Sequence, residues 1–104
     1  MFEINGERWR IVFVSPNHPQ LIRSDGSTTI GVCNDDTKTI YLNENLDDYM
    51  IKKVLTHEIT HAAMFSYNVM LCPRQEELLA SLLDTYGHEI VNITNQFFNR
   101  LTYK

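Results

Sequence analysis

The 104-residue chain is short of positive charge: nine Lys and Arg stand against thirteen Asp and Glu, for a net charge of −4. That balance excludes a protein that grips a nucleic-acid backbone, which needs a clustered basic surface. No apolar run approaches the ~20 residues of a membrane span, so no membrane partner is expected. Met1–Phe13 also lacks the basic-then-apolar build of a signal peptide, and the expected location is the cytoplasm. Cysteine is scarce too. Cys33 and Cys72 are the only two, too few for the disulfide framework of a small secreted scaffold, and they read as free thiols. Neither lies in a CxxC or CxxH spacing, so a Cys-His metal site is not expected. Internal repeats and low-complexity tracts are missing. What remains is 43% hydrophobic and 11% aromatic residues, enough for one packed core and a single domain over residues 1–104. A domain of this size buries roughly two thirds of its unfolded surface, so a bound metal would add useful stability.

The pattern changes near Asn45. Before it, Gly, Pro, Asn and Asp punctuate short apolar runs. Phe2-Glu3-Ile4, Asn5-Gly6 and Glu7 to Val14 read as a hairpin, because Asn-Gly suits a type I′ turn. Trp9, Ile11 and Phe13 alternate with Arg8, Arg10 and Val12, which predicts one apolar face. Thr28 to Cys33 and Thr39 to Asn43 are rich in β-branched and aromatic residues, with a turn at Asn34-Asp35-Asp36-Thr37 between them. Beyond Asn45 the period becomes helical. A first helix is expected from Asn45, with Asp48 three residues on, to about Tyr67-Asn68. A second opens at Pro73 with Glu76 and Glu77 in its first turn, and carries an apolar stripe from Leu78 to Phe97. Gly87 is its weak point. The predicted fold class is α+β: a small antiparallel sheet of three or four strands, then two long helices.

The first helix contains His57-Glu58-Ile59-Thr60-His61, an HExxH. Positions i and i+4 lie one above the other on a helix, so both imidazoles reach one metal ion. Glu58 points about 100° away round the helix, where its carboxylate serves as general base to a metal-activated water rather than as a ligand. A catalytic zinc also needs a third protein ligand and an open position. His18 sits in a Pro-bracketed loop and His88 late in the second helix, and no HExxHxxGxxH pattern is present. Glu76 and Glu77 are the candidates, since a short loop and an antiparallel return bring their turn back to the first helix. On a helical wheel Glu76 borders the leucine-to-phenylalanine stripe, about 80° from its centre, whereas Glu77 points nearly opposite. The angle selects Glu76 as the third ligand and leaves Glu77 as an acidic residue at the positive helix end. Tyr67, Tyr86 and His88 are all candidates for a second donor to an oxyanion, and the spacing selects none of them.

The strand Thr39-Ile40-Tyr41-Leu42, the HExxH helix and a following helix opening Glu76-Glu77-Leu78-Leu79 resemble the minimal gluzincin-type zincins. These include the ImmA/IrrE-like metallopeptidases and small HExxH proteins of phages and prophages. The resemblance covers roughly residues 39–90. It implies a zincin-like fold with a glutamate ligand on the helix after HExxH, and a sheet edge able to pair with an extended peptide. The alanine usual three residues after that glutamate is Leu79 counted from Glu76, but Ala80 counted from Glu77. Together these readings predict a zinc-dependent metallopeptidase acting on a peptide or protein substrate, with His57, His61 and Glu76 holding Zn2+ and Glu58 as base. The competing reading, from a different class, is a catalytically silent interaction module, phage-encoded and stabilised by zinc. Oligomeric state is not legible.

Overall fold

The computed structural model describes residues 1–102. The described residues form β1 (Phe2–Ile4), β2 (Glu7–Val14), a 3-10 turn (Pro19–Leu21), β3 (Gly31–Asn34) and β4 (Thr39–Asn43), followed by four helical segments. Asn5 and Gly6 both take positive φ, 49° and 78°, as a type I′ turn requires, and β1 pairs antiparallel with β2. β3 and β4 form the second expected hairpin, with Gly31 opposite Leu42 and Asn34 opposite Thr39.

The sheet is mixed rather than antiparallel. Its order is β1-β2-β4-β3, and β2 runs parallel to β4 from the Arg10–Thr39 pair to the Val14–Asn43 pair. Residues 15–38 are long enough to carry the chain back across the sheet, as a parallel pairing demands. Because β3 takes the other side of β4, it becomes an edge strand beside the first helix.

One sheet face packs Trp9, Ile40 and Leu42 against Val54 and Ala62 of that helix. The indole N–H of Trp9 donates to Ser66 Oγ at 2.9 Å. The opposite face is covered as well, since the 3-10 turn packs on β3 and β4 and Leu21 is wholly buried. With both faces covered, the clean alternation expected of β2 fails. Val14 is buried on the second face, while Phe13 is half exposed.

α1 spans Asp48–Ser66, with Asp47 as its N-cap accepting the Met50 N–H at 2.8 Å. It thus begins two residues later than Asn45 predicts, because Asp47 is the residue whose carboxylate reaches the first free amides. It stops at Asn68, which turns left-handed (φ 54°) while the Val69 N–H bonds Met64 O at 2.9 Å. Gly31 lets β3 approach α1 closely, since a Cβ there would lie 2.5 Å from Val54 Cγ1.

The second helical run is not one helix. α2 (Pro73–Leu82) passes into a π-helical turn (Leu83–Gly87) and then α3 (His88–Thr102). Gly87 closes that turn, in keeping with its weakness as a helix former. Nor does the expected stripe meet the core: Leu78, Leu82 and Ile90 are exposed, while Ala80 is wholly buried. The face of the run turned to α1 carries Glu76, Ala80 and Asp84 at i, i+4 and i+8. Opposite them stand His61, His57 and Lys53, spaced the same way in the reverse direction. Carboxylates, not leucines, complement that side of α1.

Candidate metal centre

His57 and His61 lie one turn apart on α1, with ring centroids 5.1 Å apart. Each ring is held from behind by a carboxylate. His57 Nδ1 lies 2.8 Å from Asp84 Oδ2, and His61 Nδ1 lies 2.6 Å from Glu76 Oε1. A carboxylate accepts, so a hydrogen on each Nδ1 suits these contacts, and a ring protonated only there offers its Nε2 lone pair to a metal. Both Nε2 atoms face a single carboxylate. Glu77 Oε2 stands 3.1 Å from His57 Nε2 and its Oε1 2.9 Å from His61 Nε2.

Lone pairs opposed at such distances repel unless a cation or a proton lies between them. Ligand atoms of His57, His61 and Glu77 all fall within 4.8 Å of one another, so the three could hold a metal ion. Two imidazoles and a carboxylate match the donor preference of zinc, and a carboxylate behind each ring fixes the tautomer a metal needs. On the chemistry of the donor set, the residues fit the ion.

The placement of the two glutamates differs from the expectation that Glu76 is the third ligand. Glu76 does border the buried face, its side chain 21% exposed against 61% for Glu77. That face is packed against the far side of the His61 ring, away from the shared space. Glu77, one residue on and about 100° further round, overlooks the open cleft. Burial and ligation part company here because the cleft lies on the flank of the helix pair rather than in the core.

Glu58 is 7% exposed and lines the cleft beside both histidines. Among the described residues no side chain donates a hydrogen bond to its carboxylate. Burial pushes its carboxyl above the ordinary 4.5, opposed by the two imidazoles and reinforced by Glu77. The cleft has a volume of about 370 Å³ and is lined by Gly31, Val32 and Cys33 of β3 and also by Arg23 and Gln20. A smaller cavity of about 230 Å³ continues past Gly31 toward Met50 and Val54.

Asp84 was not singled out by sequence. It accepts from Lys53 Nζ at 2.6 Å as well as from His57, and only 8% of its side chain is exposed. It lies eight residues after Glu76, on the same face of the run, and serves His57 as Glu76 serves His61. Neither Tyr67, Tyr86 nor His88 lines either cavity. His88 Nε2 lies 3.0 Å from Thr56 Oγ1 instead. His18 stacks on Tyr41 and caps the 3-10 turn through Nδ1. Cys33 and Cys72 are free thiols, as expected.

An α+β fold with a His-His-Glu cluster open to a cleft defines a candidate metal-binding protein. Residues 10–97 match the family model Peptidase M78, the IrrE N-terminal-like domain, and the chain belongs to that family. No curated protein and no solved structure matches the chain. No described helix is long and apolar enough to cross a membrane.

Proposed function

We propose that this chain is a cytoplasmic zinc metallopeptidase that cleaves an extended peptide or protein segment. The observation that carries the reading is the pair of Nε2 atoms converging on the Glu77 carboxylate, each ring braced at Nδ1. His57, His61 and Glu77 would hold the ion, with Glu76 and Asp84 as the groups that orient the rings. Zinc supplies a Lewis acid that polarises a peptide carbonyl and makes water a nucleophile near neutral pH. Glu58, nearly buried and unengaged, accepts the proton of the attacking water and returns it to the departing amine. Its raised pKa suits both halves of that exchange. The outer edge of β3 borders the cleft and pairs with no described strand, so a substrate backbone can add there as a further strand.

The test joins metal analysis to peptidase assay. Wild type and Glu58→Gln should each retain one zinc per chain, while the variant loses at least ~100-fold in peptide hydrolysis. Zinc retained with no hydrolysis of any peptide by wild type would favour the silent, zinc-stabilised module. Loss of zinc from Glu58→Gln would make Glu58 a ligand, and absence of zinc from wild type would overturn the reading altogether.

A further inference from the structure

α3 makes extensive contact, among the described residues, only with the π-helical turn that leads into it. The molecule is accordingly elongated, 55 × 31 × 27 Å. Along the helix Ile90, Ile93, Phe97 and Leu101 recur at intervals of three and four, and they are 54%, 49%, 57% and 70% exposed. These are the residues that a 3.6-residue period gathers into one stripe. A lone helix with such a face is marginal in water.

The charges beside the stripe say what covers it. Glu89 and Arg100 are the two charged residues of α3 among those described, one in the first turn and one in the last. At 100° per residue they fall within about 20° of each other, on the same flank of the stripe. In a parallel helix pair, one flank of a helix meets the opposite flank of its partner. In an antiparallel pair like flanks meet, and the first turn lies beside the last. Only the antiparallel arrangement therefore sets Glu89 against Arg100, and two-fold symmetry makes that contact twice. Pairing 89 with 100 also sets Ile93 near Phe97 across the axis, so charge and apolar registers agree. Opposed helix dipoles favour the same orientation.

We propose that α3 is the interface for a second copy of this chain, packed antiparallel through Ile90, Ile93, Phe97 and Leu101, with Glu89 of each copy beside Arg100 of the other. One helix per protomer makes a small interface, so the dimer should dissociate in the ~10–100 µM range.

Sedimentation equilibrium of the 104-residue chain over about 5–500 µM should show a mass rising from 12.2 kDa toward twice that. Ile93→Asp should remain monomeric throughout, with unchanged helical circular dichroism. Glu89→Arg and Arg100→Glu should each weaken association by about tenfold, and the double exchange should restore it. Arg100→Glu also takes the guanidinium off the Phe97 ring, over which it lies at 5.2 Å, so rescue is read against Arg100→Glu alone, which shares that loss. A monomer at every concentration would overturn the proposal and leave the stripe to an unlike partner. So would a dimer indifferent to both charge reversals, or a double exchange that fails to rescue.

Discussion

A helix turns about 100° per residue, so Glu76 and Glu77 cannot serve the same side of α2. Glu76 braces His61 from behind and Glu77 fronts both rings. Calorimetric titration of zinc should distinguish them. With Glu77 as the proposed ligand, Glu77→Ala should weaken binding by at least ~100-fold, whereas Glu76→Ala, the loss of a proposed brace, should cost about 10-fold to 100-fold. Tight binding by Glu77→Ala with weak binding by Glu76→Ala would restore Glu76 as ligand. Glu58 poses a different question, because burial of its charge is a cost that the fold bears. Its folded-state pKa is raised above 4.5, so the folded chain holds that proton more firmly than the unfolded one. Stability therefore falls as pH rises past 4.5, and the full penalty stands at neutral pH. Metal-free Glu58→Gln should melt a few degrees higher than wild type at pH 7. A lower melting temperature would mean that the carboxylate stabilises the fold.

The joint between α1 and the helical run beyond Pro73 rests on Lys53, His57 and His61 facing Asp84 and Glu76. Burial alone would raise the Asp84 carboxyl, but hydrogen bonds from Lys53, His57 and Thr85 outweigh it and hold the pKa below the usual 3.8. A depressed carboxylate contributes stability that is present above its unfolded pKa and lost as pH falls through the folded one. In acid denaturation below pH 3.8, wild type should lose an increment that Asp84→Asn lacks; above it, wild type should be the more stable. Parallel acid profiles would show that the contact carries no net stability. This joint is also where sequence reasoning met its limit. The HExxH pair, the hairpin at Asn5-Gly6, and the limits of α1 to within a few residues were legible, because each depends on local spacing or turn chemistry. The parallel pairing of β2 with β4 was not, since residues 15–38 have no period that states their path. The rotation of α2 was hidden because leucines normally mark the buried face. Here a histidine-bearing partner reversed that preference and left Leu78 and Leu82 to solvent.

At the scale of the whole molecule, the three prospective ligands come from two helices that meet at the cleft. An ion held there would tie α1 to α2 directly. Zinc at about 100 times its dissociation constant would add ~2.7 kcal/mol, enough to raise the melting temperature by about 10–20 °C in a domain of this size. A chelator should reverse the gain. A melting temperature indifferent to both would show that the cluster binds no ion. The N-terminal hairpin is fastened at the C-terminal end of α1, where Asn5 Nδ2 donates to Ser66 O at 3.0 Å. That contact bears on how the protein ages. Asparagine followed by glycine is the pair most open to deamidation, because the following amide nitrogen, unhindered by a side chain, attacks the asparagine carbonyl. While Asn5 donates to Ser66 its amide is held out of that trajectory, so the folded state protects its own turn. Once deamidation does occur, the donor is replaced by a carboxylate facing a carbonyl oxygen, and the hairpin loses its fastening to the helix. Old preparations should therefore release β1 first, from a single covalent lesion.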